Sequence, residues 1–370
     1  MKSPLAGPNF GSYAADEVSW LLTDLSAVAL EADAASRERD IQSGRAHYAE
    51  SLPIEYQPNP AYRALFAEVL TDTAARLATA VGVVTELVLA ERGQDICLVS
   101  LARAGTPIGI LMRRWSAQHH GLQLPHYAVS IVRDRGIDTA ALQYLSTHHD
   151  PATVVFVDGW TGKGAITREL TAALRAHEAE TGVHFNPDLA VLADPGDCVR
   201  TYGTRDDFLI ASACLNSTVS GLISRTVLNR RLIGRDDFHG AKFYRELAAD
   251  DRSGTFLDTV SARFDEVFAA AAAESAALMS TDRTPGWAGL ATVEQIRRDY
   301  GITTTNFVKP GIGETTRVLL RRLPRHIIVR DPDAPEHRHI RLLAAERGVP
   351  ISCDPGLAYA CVGLIDDVAQ

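Results

Sequence analysis

The stretch from residue 153 to 165, Thr-Val-Val-Phe-Val-Asp-Gly-Trp-Thr-Gly-Lys-Gly-Ala, constrains this chain more than any other. A short apolar run, an acid at its end and a Gly/Thr/Lys turn predict a buried parallel strand feeding a helix. Open α/β sheets built this way hold ligands outside the carboxyl ends of their strands. The N–H groups of the turn and the helix N-terminus would face an anion such as phosphate. Asp158 would sit beside it, placed to accept sugar hydroxyls or to hold Mg2+, directly or through water. A Walker P-loop is excluded, because Lys163 is followed by Gly164 where the metal-binding hydroxyl belongs.

The rest of the chain alternates in the same manner. Strands are expected at 95–100, 127–132, 153–157 and 189–193, with a helix from about Ile108. Ahead of them, Val18, Leu21, Leu22, Leu25 and Val28 predict a helix over 14–31, and Pro60 opens a second over 60–80. Residues 32–57 are polar and read as a surface crossing. An Ala-rich helix near 260–280 runs into a Ser/Thr/Asp/Pro/Gly loop at 280–286, a plausible domain boundary. Beyond it, helices at 293–300, 314–322 and 336–347 and strands at 326–329 and 349–352 form a small α/β unit.

Composition narrows the class. With 46% hydrophobic and 22% charged residues and a mean hydropathy of −0.04, the chain reads as a water-soluble globular protein. No apolar run in the sequence approaches the ~20 residues that span a bilayer. Five cysteines without CxxC spacing suggest reduced thiols and a cytoplasmic location rather than a disulfide scaffold or zinc site. Net charge is −9, yet residues 291–350 carry 11 Lys/Arg against 7 Asp/Glu, leaving −13 elsewhere. A basic segment on an acidic protein hints at an anionic partner.

Two further strand ends add cations. Leu101 to Gly105 places Arg103 with the Ala104 and Gly105 backbone where a diphosphate could be gripped. Arg133 and Arg135 end the next strand and could clamp a phosphate. Residues 205–250 are dense in small polar side chains and read as a hood, from which Asn216, Ser217 and Thr218 could recognise an acceptor.

Residues 157–164 are similar to the 5′-phosphate loop of type I phosphoribosyltransferases, with Val157 standing where the first acid belongs and the loop about one residue shorter. Together with Gly11-Ser12-Tyr13, His47-Tyr48, the 101–107 and 135–138 segments and residues 213–225, this loop identifies a wider resemblance. Nearly the full length resembles the phosphoribosyltransferase–PELOTA fusion proteins of tellurium-resistance-type stress gene clusters, also labelled StiP family cysteine proteases. The resemblance implies a phosphoribosyltransferase-like, doubly wound, mostly parallel sheet with a hood (residues 1–285, hood about 205–250). It implies a small C-terminal α/β PELOTA-like RNA-binding-type domain at 286–370. It implies phosphoribosyl transfer from 5-phosphoribosyl diphosphate to an unknown acceptor, in making a nucleoside-like stress metabolite. Asp158 would hold ribose and Mg2+; Thr161, Gly162, Lys163 and Gly164 the 5′-phosphate; Arg103, helped by Arg133 or Arg135, the diphosphate. Gly311-Ile312-Gly313-Glu314-Thr315-Thr316-Arg317 is similar to the G-x-N-E-x-T-K loop of kink-turn-binding proteins, making Gly311, Gly313, Glu314 and Arg317 the RNA candidates. Gly313 replaces that loop's Asn.

Two other functions compete. The loss of an acid at Val157 favours a non-catalytic nucleotide sensor coupled to RNA. The protease label requires an activated thiolate with a histidine in reach, for which Cys214 and His239 are the candidates.

Overall fold

The computed structural model describes residues 2–32, 47, 49–55 and 60–366. Most of the polar crossing at 32–57, and Tyr48, lie outside the described residues. The chain begins with short extended pieces: β1 (Ser19–Trp20), β2 (Thr23–Asp24), β3 (Glu31–Ala32) and β4 (Leu52–Pro53). Then follow α1 (Pro60–Arg92), β5 (Cys97–Ala102), α2 (Thr106–His120), β6 (His126–Val132), β7 (Gly136–Ile137) and α3 (Thr139–His148). The central stretch holds β8 (Val154–Trp160), α4 (Ala165–Thr181), β9 (Leu189–Ala193) and β10 (Thr201–Thr204). After β11 (Gly240–Ala241), helices α5 (Ser253–Ser261) and α6 (Phe264–Met279) complete the first unit.

Its sheet has the order β1-β6-β5-β8-β9-β10, all parallel, with β7 added antiparallel to β6. Strand order reverses between β5 and β8, and a crevice opens there at the carboxyl ends. β5 and β8 are apolar without alternation because both faces are covered. On one face lie α1, α2, α5 and α6, burying Leu77, Val81, Trp115, Phe256 and Phe264. On the other, α3 and α4 bury Leu142, Leu145, Leu170 and Leu174.

The 14–31 helix is not formed. Ser19–Trp20 instead pairs parallel with β6 as the sheet edge, and Thr23–Asp24 pairs with β11. Of the apolar residues that suggested a helix, Val18, Leu21, Leu22 and Leu25 are buried all the same, and Val28 is half-buried. Their spacing reflects a chain pressed into a groove, where a free sheet edge outweighs local periodicity.

The second helix runs 33 residues, far past Ala80. Within it, Arg63–Arg92 is long and apolar enough to cross a membrane by length and composition, but most of it is buried in the fold. A helix apolar all round is a core helix when other elements surround it, and here α2, α5, α6, β9 and β10 do so.

The C-terminal unit comprises α7 (Ala288–Asp299), β12 (Val308–Pro310), α8 (Ile312–Arg321), β13 (Pro324–Val329), α9 (Arg338–Arg347), β14 (Ile351–Cys353) and β15 (Cys361–Ile365). Its four-stranded sheet has the order β12-β15-β13-β14 and is mixed, with only β13 and β14 parallel. Val293, Ile296, Val308, Ile328, Tyr359 and Val362 form its core.

Candidate functional site

The β5 and β8 ends meet at the crevice as sequence reasoning expected. Val157 lies in register with Ser100, and the turn after β5 packs on β8. A Cβ on Gly105 would collide with the Val157 carbonyl, so only glycine lets the two backbones approach. A cavity of about 480 Å³ opens at this point. From the sheet unit, Arg103, Asp158, Asn216 and Arg225 line it; from the C-terminal unit, Lys309, Glu314, Arg317 and Arg322 do. A smaller apolar cavity adjoins it, sharing Ala104, Asp158, Glu314 and Arg317, with Trp160, Phe208, Ser212 and Ala213 on its walls.

Asp158 is the chemical centre. Its side chain is 8% exposed and accepts the Gly159 N–H at 2.8 Å. Burial pushes its carboxyl up to about 7, against the opposing pull of that hydrogen bond and of Arg317. Glu314 behaves oppositely. Burial would raise it, but Arg317, at 2.8 Å, and Lys309 hold it below the usual glutamate value. Lys309 is lowered by burial and by Arg322, Arg133 and Arg317, in spite of Glu314.

The C-terminal unit covers the turn at 161–164, which was expected to cradle phosphate. Lys163 Nζ donates to the Thr305 carbonyl at 2.7 Å and reaches that of Val308 at 3.5 Å. The Tyr359 hydroxyl donates to the Gly162 carbonyl. Gly164, at φ +66°, starts α4 under the Trp287 ring, and Thr161 Oγ1 accepts its N–H. The loop is the joint between the units. Burial, then Lys309 and Arg133, lower the Lys163 ammonium to about 8.

The two β6 arginines diverge. Arg133 donates to Asn306 Oδ1 at 3.2 Å in the C-terminal unit, whereas Arg135 lines a separate cavity with His47, Glu50 and Arg231. Of the acceptor trio, Asn216 faces the main cavity. Ser217 donates through N–H and hydroxyl to Glu55, and Thr218 is buried. Arg103 is held by the Ile223 carbonyl at 3.3 Å and by Glu55 at 3.7 Å.

The kink-turn-like loop is turned inward. Gly311, at φ +86°, packs on Trp160, and Gly313 lines the smaller cavity. The Ile312 and Ala360 N–H groups both donate to Asp207, at 3.0 and 2.8 Å. Arg317 Nε donates to the Ala213 carbonyl at 3.4 Å. Sequence reasoning missed Lys309, Arg322 and Arg225 in the cavity; the local +4 charge at 291–350 was the available signal for the first two.

Magnesium does not fit this donor set. Among the described residues no group of three or more His, Cys, Asp and Glu side chains is gathered. Of the cavity's two carboxylates, Glu314 is tied to Arg317 and Asp158 is half-protonated near neutrality, among cations.

The thiols can be ranked. Burial raises Cys97 and Cys198 to about 12, with Asp194 and Asp197 adding at Cys198, and lifts Cys361 well above the usual thiol value. Cys353 is exposed, on β14. Cys214 is buried in a 3-10 turn, Ala211–Cys214, packed against α1 and α8. His239 is engaged elsewhere: its Nδ1 meets Ser130 Oγ at 2.9 Å and its backbone N–H donates to Asp138 at 2.6 Å.

Comparison with known proteins bears on all of this. Residues 11–261 match the family model described as tellurite-like stress resistance cysteine protease StiP. Residues 287–367 match a PELOTA RNA binding domain. The chain is 33% identical to the "Cysteine protease StiP" of Acinetobacter baylyi, over 97% of this chain and 95% of that protein. These findings overturn the transferase expectation, since the family and its relative carry the name of a protease. The covered 161–164 turn is consistent with that correction. The mixed α/β fold with its C-terminal PELOTA-like unit stands, and the chain belongs to the StiP family.

Proposed function

We propose that the protein is a thiol peptidase, with Cys214 as its nucleophile and the cleft between the β5/β8 edge and α8 as its substrate site. The observation that carries this reading is the end-to-end similarity to a relative named a cysteine protease. Cys214 is selected because its chain neighbours Ser212, Ala213 and Asn216 line the two cavities. Burial holds Cys97, Cys198 and Cys361 as thiols, and Cys214, though buried as deeply, differs from them in the cavities at its flanks.

In the reaction the Cys214 sulfur, losing its proton, attacks the peptide carbonyl carbon. The C–N bond breaks, and the amine departs with a proton, leaving a thioester. Water then hydrolyses the thioester, releasing the carboxylic acid and restoring the thiol. Asp158, titrating near 7 on the wall shared by both cavities, is the group to carry the proton from sulfur to the amine. The buried thiol requires the 208–217 segment to swing aside for substrate.

Hydrolysis of a fluorogenic peptide library tests this. Cys214→Ser is expected to lower turnover by about 10³-fold or more, while Cys353→Ser leaves it unchanged. Full activity in Cys214→Ser would refute the assignment. Absence of hydrolysis, together with a Cys214 inert to iodoacetamide, would refute the peptidase reading.

The PELOTA match supports RNA as a second ligand of the C-terminal unit. With the 311–317 loop turned inward, RNA would meet exposed Arg325, Arg338 and Arg347. Filter binding should then weaken steeply with salt.

A further inference from the structure

We infer that the cleft is a carboxylate-recognition pocket assembled from both units, and that its substrates are peptide segments bearing Asp or Glu. The inference rests on the peptidase reading and adds the substrate class.

Charge is the first argument. Arg103 and Arg225 from the sheet unit, and Lys309, Arg317 and Arg322 from the C-terminal unit, border one cavity of about 480 Å³. Asp158 and Glu314 are the acids beside them, so the walls carry three excess positive charges even with both ionised. Glu314 is occupied by Arg317 at 2.8 Å. Lys309 and Lys163 are each pushed down by burial and by neighbouring cations. Cations crowded in this way repel one another, and an entering anion relieves the repulsion.

Shape and lining favour a carboxylate over nucleic acid. Among the described residues no aromatic ring lines the main cavity, whereas single-stranded RNA is held largely by bases stacked on aromatic side chains. A guanidinium matches a carboxylate through paired N–H donors, and Arg322, with the N–H groups of Arg103 and Arg317 beyond those bound to Ile223, Glu314 and Ala213, brings such donors to the cavity from both units. The Gly311–Arg317 loop, similar to an RNA-reading loop, is held in the cleft by Asp207, Trp160 and Ala213. It therefore acts as a pocket wall.

The test is equilibrium binding of fluorescein-labelled octapeptides to the full-length Cys214→Ser protein, measured by anisotropy. One peptide carries Asp and Glu, and its isostere carries Asn and Gln. The acidic peptide is expected to bind at least 10-fold tighter. Lys309→Gln and Arg322→Gln, introduced separately, should each erase most of that advantage. Arg322 is exposed, so its variant folds even if Lys309→Gln does not. Equal affinity for the two peptides, an advantage untouched by Arg322→Gln, or displacement of the peptide by single-stranded RNA would each overturn the proposal. Acidic peptides that bind this way but stay uncut by wild type would sink the peptidase reading and leave the pocket standing. Neutral peptides cut as fast as acidic ones would do the reverse.

Discussion

Asp158 shows how one residue's position sets its chemistry. At the end of an apolar strand it loses water on nearly every side, and its carboxyl rises from 3.8 to about 7. A raised acid holds a proton in the folded state that the unfolded chain has released. Its contribution is therefore full below about pH 4 and is lost as pH climbs through 7. Asp158→Asn should leave stability at pH 4 little changed and increase it at pH 8 by about 4 kcal/mol, read by urea unfolding at both values. A variant no more stable than wild type at pH 8 would show that the carboxylate is solvated there. Gly105→Ala should destabilise by about 1–3 kcal/mol, because its methyl meets the Val157 carbonyl. Equilibrium denaturation checks this.

Among elements, α1 is the spine, 33 residues packed on α6, α2 and β10. Gly82 lets Trp115 and Ala271 close on the helix, and a Cβ there would overlap both. Gly82→Ala gains helix propensity yet should lose about 1–3 kcal/mol through overpacking. A raised thermal midpoint would count against this packing. Legibility differed from element to element for physical reasons. β8 and β9 were visible because strands buried on both faces are written as unbroken apolar runs. β10, Thr-Tyr-Gly-Thr, carries no such pattern and exists by pairing with β9. Residues 14–31 failed as a helix for the same reason, their conformation being set by the β6 edge.

On the scale of the whole molecule the two units share one site. Asp207 joins them by accepting the Ile312 and Ala360 N–H groups, and burial lifts its carboxyl to about 6. Asp207→Ala would strand both donors, at about 1–3 kcal/mol each. Calorimetry should then resolve two transitions where a single one is expected of the intact chain, and peptide hydrolysis should fall with them. A single unshifted transition would show that the joint holds without Asp207. The strand ends bearing Arg103 and Asp158, the apolar layers and the separate C-terminal α/β unit were determined by the sequence itself. Hydrophobic pattern and turn chemistry are local, and they suffice to order a parallel sheet. Tertiary structure alone decided that Lys163 meets carbonyls, that Arg135 leaves the site, and that Lys309 and Arg317 enter it. Those outcomes depend on how two units dock, through contacts between residues more than a hundred positions apart that no local spacing records.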